Sequence, residues 1–144
     1  MSKFKMDKNK IINGTHGKVF FDNEKLTNIK KGEVKITLDY EEVSQSEALG
    51  TGSRYMGYSI AGTLVLHKLD SFIASKLEEG IKTGNMPEFT VIMAIEDPAA
   101  YGYERIELTG VTIDEVSFVF ENKALGEEEV PFKASNFRYL DKIA

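Results

Sequence analysis

Apolar residues recur at every second position through most of this chain, the spacing of strands that bury one face and wet the other. Residues 18–22, Lys-Val-Phe-Phe-Asp, read as a short strand closed by a turn over Asn23, Glu24 and Lys25. A second extended stretch begins at Leu26. In its clearest part Val34, Ile36, Leu38 and Tyr40 share one face, and Lys35, Thr37 and Asp39 share the other. Between residues 44 and 57 the alternation breaks. Gly50, Gly52 and Gly57 stand among few large apolar groups, so a long mobile loop is expected there. A third strand places Tyr58, Ile60, Gly62, Leu64 and Leu66 on one face against Ser59, Ala61, Thr63, Val65 and His67. Residues 33–42 and 57–67 thus form the arms of one hairpin. It is longer than the core of a small domain requires, which predicts a strand pair that reaches out to a neighbour.

The period changes once. Phe72, Ile73, Leu77 and Ile81 fall near one face of a helix, with Lys76, Glu78 and Glu79 outward. Asp70 or Ser71 caps it, Gly80 or Gly84 ends it, and Pro87 stops any continuation. Residues 89–95 form a nearly continuous apolar strand, followed by a loop from Asp97-Pro98 through Gly102. Residues 103–108 and 111–120 read as a strand pair around Gly110. A phase change at Asp114-Glu115 suggests a bulge. Residues 128–134, with Val130 and Phe132 inward, make the last predicted strand. No internal repeat, low-complexity tract or linker interrupts the 144 residues. A single mainly β domain with one packed helix is therefore expected over residues 1–144.

Composition narrows the class. With no cysteine there is neither a disulfide framework nor a thiolate metal site. No apolar run reaches the roughly 20 residues of a membrane helix. The first ten residues hold four lysines but no apolar signal core, so a soluble cytoplasmic product is expected. Residues 1–35 carry nine lysines against Asp7, Asp22, Glu24 and Glu33, whereas the remainder carries nine Lys/Arg against nineteen Asp/Glu. An acidic body argues against a nucleic-acid clamp. A basic arm (residues 1–14) on an acidic body permits head-to-tail attraction between copies, although a solvated arm has the same composition.

Candidate chemistry is sparse. His16 and His67 are the only histidines, and neither belongs to a zinc-type pair; both read as surface residues. Gly57-Tyr58-Ser59-Ile60-Ala61 superficially resembles a nucleophile elbow, but Ser59 opens a strand rather than a strand-to-helix turn. Gly50-Thr51-Gly52-Ser53 lacks the lysine of a phosphate loop. Glu127-Glu128-Glu129 and Asp114-Glu115 lack calcium-loop spacing, and the glutamate run reads as a solvated edge. No catalytic, cofactor or metal site is expected. A ligand-binding β-barrel is the alternative from another class, but the hairpin's second face is polar rather than pocket-like. A hydrolase built on Ser59 is more remote still.

Taken in order, several segments resemble contractile-tail tube proteins of Gram-positive phages, defective prophages and R-type bacteriocins. They are Ile12-Asn13-Gly14-Thr15-His16-Gly17-Lys18-Val19-Phe20-Phe21-Asp22 with Leu26 and Ile29-Lys30-Lys31, then Gly57, Ala61-Gly62-Thr63-Leu64 and Leu69-Asp70-Ser71-Phe72. The run continues through residues 89–98, Glu104-Arg105-Ile106-Glu107-Leu108, Val111 with Asp114-Glu115, and Glu128-Glu129-Val130-Pro131-Phe132. Each piece is weak alone, and residues 44–55 are the least family-like.

The resemblance implies a sandwich- or barrel-like tail-tube fold. Its long hairpin would join an intersubunit β-barrel, with six subunits to a ring and rings stacked around a channel. It implies no cofactor. The implied partners are further copies, a tail sheath protein, a tape-measure protein and a baseplate or tube initiator. DNA would transit the lumen only in a phage. Assembly would take place in the host cytoplasm, and the product would be a phage tail or bacteriocin particle. A related secretion-system tube would share the mechanism. By alternation, Lys35, Thr37, Asp39, Ser59, Ala61, Thr63 and His67 become lumen candidates, while Val34, Ile36, Leu38, Tyr58, Ile60 and Leu64 point to the core. Lys3, Lys5, Lys8, Lys10, Gly50, Gly52, Arg54 and Tyr55 become candidates for contacts between subunits or rings.

Overall fold

The structure is a computed structural model that describes residues 6–44 and 50–143. Lys3 and Lys5, and residues 45–49 of the expected loop, lie outside the described residues. The elements are β1 (Gly17–Phe21), β2 (Glu24–Lys25), β3 (Ile29–Ser44), β4 (Thr51–His67), α1 (Phe72–Thr83), β5 (Phe89–Ile95), β6 (Glu104–Ile113), β7 (Glu127–Ala134) and β8 (Asn136–Asp141). Strand order is β2-β1-β5-β6-β7-β4-β3, with β8 on β6. The mainly β architecture with one helix is thus the one expected.

Local chemistry explains the junctions. Asp22 and Asn23, at φ 49° and 69°, make the two left-handed central residues of a tight hairpin turn, a conformation that Asp and Asn tolerate. Between β5 and β6, Thr109 and Gly110 stand opposite the single residue Thr90, and Gly110 has φ 63°. This bulge lets β6 serve two partners: residues 104–111 pair with β5, and Thr112 and Ile113 pair with β7. The two halves of the sheet enclose one core of Phe21, Leu64, Val91, Leu108, Val111, Val130 and Phe132, completed by Ile73 and Leu77 of the helix. Phe21 anchors it, with its ring centroid 4.8 Å from that of Phe89 and 5.9 Å from that of Phe72.

Several expectations need correction. Residues 51–57 are strand, not loop. The ribbon they form faces no core, so nothing imposes apolar alternation on them. Met56 is an unpaired extra residue at a bulge beside Gly57 (φ 142°), which also breaks the count. Residues 103–120 are not a strand pair: Gly110 marks a bulge within one strand, and residues 114–126 run without regular structure. Strand β8 went unpredicted, although Phe137 and Tyr139 carry a two-residue period. In α1, Asp70 Oδ1 accepts from the Phe72 amide at 3.1 Å, Ser71 makes no capping bond, and Gly84 ends the helix at φ 80°. Ile81 is exposed. The buried residue on that turn is Gly80, where an added Cβ would lie 2.9 Å from Pro87 Cδ. Glu128 is not part of a solvated edge. It is buried on the core face and accepts from Lys68 Nζ at 3.1 Å, while Glu127 and Glu129 face outward.

A candidate assembly surface

Strands β3 and β4 pair over almost their full length, with Val34 opposite Gly62, Ile36 opposite Ile60, and Leu38 opposite Tyr58. On that face Ile60, Leu64 and Leu66 are buried and Val34 and Ile36 are half-buried. Leu38 and Tyr58 do not reach the core as alternation implies; both are exposed. The direction of their face is right, but β7 stops covering β4 at Ile60 and the body ends there. Beyond it, residues 37–44 and 51–59 form a two-stranded ribbon. Tyr40 and Tyr55 stack edge-on across it, with ring centroids 5.9 Å apart. A lone two-stranded ribbon is marginal in water, and β3 ends the sheet path, so its outer edge offers free backbone groups.

The opposite face collects the predicted lumen candidates. Lys35 pairs with Ala61, Thr37 with Ser59, and Asp39 with Gly57. Thr63 and His67 continue the same face further along β4. The sequence reading missed β7's share of this face: Lys133, Pro131, Glu129 and Glu127 stand opposite Ala61, Thr63, Val65 and His67. Their two-residue period was the available signal. Thr63 is not open to solvent like its neighbours. With Pro131 and Glu129 it borders a cleft of about 690 Å³ beneath the 114–126 segment.

Charges on this face neutralise one another. Lys35 Nζ lies 3.2 Å and Lys31 Nζ 3.7 Å from the Glu33 carboxylate. The hydrogen bond from Lys35 is the main reason the Glu33 carboxyl sits below its ordinary value. Lys30 donates to Glu127 and depresses it in the same way.

At the other end of the domain, Lys18 donates to Glu96 at 2.7 Å and lowers that carboxyl. Asp97 is buried, and its two oxygens accept from the amides of Asn13 and Ala99 at 3.0 and 2.9 Å. Those bonds, with a smaller contribution from His16 at 3.9 Å, hold its carboxyl below the usual range.

The described contact candidates fall in two places. Lys8 and Lys10 lie in a short 3-10 turn, with the Lys10 ammonium 5.5 Å from the Tyr101 ring centroid. Gly52, Arg54 and Tyr55 lie within β4, opposite Val43, Glu41 and Tyr40, and Gly50 sits just before the strand. Ser59 lies mid-strand rather than at an elbow. His16 neighbours Asp97 whereas His67 neighbours Glu127, and no group of three or more metal-ligating side chains occurs among the described residues.

The sheet half β7-β4-β3 has open backbone on both flanks. One is the β3 edge. The other is residues 127–130 of β7, which β6 leaves unpaired because it meets β7 only at Phe132 and Lys133, with one further bond from the Asp114 amide to Pro131.

A family model described as phage tail tube protein matches residues 4–141. The phage-like element PBSX protein XkdM of Bacillus subtilis (strain 168) is 30% identical over 137 residues, covering 92% of each chain. The fold is shared with a subunit of the sheath–tube complex of an extracellular contractile injection system in its extended state, at TM-score 0.72, 12% identity, and 96% and 97% coverage of this chain and that one. It is also shared with a subunit of the tube-terminating cap of the anti-feeding prophage, at TM-score 0.76, 8% identity and 96% coverage of both.

Proposed function

The chain belongs to the phage tail tube protein family and is a structural tail component of a phage or phage-like particle; from that membership we propose that six copies close into a ring around a channel and that rings stack into the tube. The observation that carries this reading is the sheet half with two open flanks. The β3 edge of one copy and the β7 edge of the next are different surfaces on opposite sides of the subunit. Such a heterologous contact closes into a ring when the rotation allows. Closure removes the edges that a free subunit leaves exposed.

In that ring the face carrying Lys35, Thr37, Asp39, Ser59, Ala61 and His67 lines the channel, joined by Lys133 from β7. It is small, polar and nearly balanced in charge, because Glu33, Glu127 and Glu129 offset Lys31, Lys35 and Lys133. On these strands a passing polymer meets paired charges; the apolar side chains on this side belong to the 114–126 segment that overlies Thr63 and Pro131. The whole chain acts as one tube domain with an N-terminal basic arm. Arg54, Tyr55, Gly50 and Gly52, at the ribbon's far end, are the contacts this reading gives to a stacked ring. The role is assembly, not catalysis.

A tail sheath is the expected outer partner, a reading supported by the sheath–tube complex whose subunit shares this fold. A tape-measure protein and a baseplate initiator are the expected inner and end partners. Assembly is expected in the host cytoplasm, with DNA transit in a phage and none in a bacteriocin.

Light scattering with negative-stain electron microscopy tests the reading. Species of six times 16.1 kDa, seen as annuli or tubes, are expected. A chain that stays monomeric even with an initiator complex would refute it and favour the ligand-binding barrel.

A further inference from the structure

Residues 114–126 join β6 to β7 without a ladder partner of their own among the described residues, beyond the first bond from the Asp114 amide. Yet Val116, Phe118 and Phe120 keep the two-residue spacing of a strand with one apolar face. Phe118 and Phe120 are 86% and 84% exposed, with their rings touching edge-on at 6.3 Å between centroids, and Leu125 is 87% exposed. Asp114, Glu115 and Glu121 flank them with no basic residue between. Two adjacent exposed phenylalanines on an extended segment mark a contact surface rather than ordinary scattered apolar exposure.

A receptor for such a segment lies on the other flank of the same subunit. Between the start of β3 and the β1–β5–β6 half of the sheet opens a groove of about 740 Å³. Val19, Val34, Met93 and Ile106 line it, and Lys31 stands exposed on its rim. Gly32 belongs to this shape, because a Cβ there would lie 2.7 Å from Met93 Cε. Glu33 and Glu104 also border the groove, so apolar fit rather than charge carries most of the match.

The two surfaces meet only between copies. The 114–126 segment leaves from the β7 flank, where the Asp114 amide donates to Pro131 at 2.8 Å, and returns where Gly126 accepts from the Lys68 amide. The groove lies on the β3 flank. In a ring that sets the β7 edge of one copy beside the β3 edge of the next, the segment arrives next to the neighbour's groove. We propose that residues 114–126 form an intersubunit clasp, with Phe118 and Phe120 of one copy seated in the groove between β3 and β1–β5 of the next. The proposal rests on the ring reading and adds to it a specific docking pair. It also moves the segment off the channel-facing side, where exposed phenylalanines would hold a passing polymer.

The cysteine-free chain permits a direct test. A Val116→Cys, Lys31→Cys double variant, which retains both phenylalanines and places the thiol on their face of the strand, is assembled and oxidised beside a Val116→Cys, Ile81→Cys control. A covalent ladder in the first and none in the second is expected. In parallel, Phe118→Ser with Phe120→Ser is expected to raise the concentration needed for ring formation about tenfold or more, as loss of a central apolar anchor does. The melting temperature of the unassembled chain should stay unchanged, since both rings are solvent-exposed. Rings forming at the wild-type concentration in the serine variant, without the 116–31 ladder, overturn the clasp and leave the ring reading intact. Equal cross-linking in the control also overturns it. A wild-type chain that forms no rings with an initiator present overturns both.

Discussion

Gly62 is the position where a single methyl group should be felt most. It sits mid-β4 between Val34 of β3 and Phe132 of β7. A Cβ there would run into the Glu33 carbonyl oxygen and lie 2.6 Å from Phe132 Cζ. The first contact is with backbone, so no rotamer change relieves it. The second is with a ring that is only 1% exposed and packed on all sides. Replacing glycine in a strand recovers roughly 0.4–1 kcal/mol of unfolded-state entropy. Overpacking of this kind costs about 1–3 kcal/mol or more, so Gly62→Ala should be destabilising on balance. Where the full overpacking cost is felt, a domain of this length loses roughly 3–10 °C in Tm. The assay is thermal unfolding of the unassembled chain by circular dichroism, with Ala61→Val as the neighbour control. Ala61 is exposed on the opposite face, and its substitution should stay within roughly 0.5 kcal/mol. Bulkier replacements at Gly62 should hinder assembly as well, because the strand pair they distort continues into the ribbon. A Gly62→Ala variant melting at or above wild type would refute the register that puts Phe132 over this glycine.

Three further outcomes are expected. Phe21→Ala should cost about 3–5 kcal/mol, measured from the urea midpoint, since Phe21 is fully buried against Phe72 and Phe89. Tyr40→Ser with Tyr55→Ser should leave the Tm of the free chain nearly unchanged but lower ring yield in scattering; unchanged yield would remove the ribbon from the interface. The Asp97 carboxyl is depressed when folded, so its stabilisation is complete above the unfolded carboxylate value of about 3.9 and is lost as pH falls through the folded one. The protection of the Asn13 and Ala99 amides, measured against their intrinsic exchange rates, should therefore fall in acid. In Asp97→Asn, where one oxygen must replace two, it should already be low at neutral pH, and the acid-dependent step should disappear.

Much was legible in the chain because burial imposes period. The helix over residues 72–83, the strands around Val19, Ile60, Val91 and Val130, and the two-faced hairpin all follow from side chains that must alternate, or recur every 3.6 residues, to reach one core. The segments from residues 12–22 through 128–132, each weak alone, indicated the family by their order along the chain. Where no core enforced the period, the reading failed. Residues 51–57 pair as a strand with almost nothing to bury. Residues 115–120 alternate like a strand, yet join no ladder among the described residues.

Local spacing is enough to set the strand faces and the polar character of the surface proposed to line the channel. A residue's side of a strand is a local property with a period of two. How far those faces stay covered is not local and came from the folded domain. It exposed Leu38 and Tyr58 past the end of the body, buried Glu128 beside Lys68, turned Gly110 into a bulge that joins two half-sheets, and left the β3 and β7 edges open. Coverage and edge pairing depend on which distant segments come to lie alongside, and that is set by the packing of the whole core rather than by any local spacing.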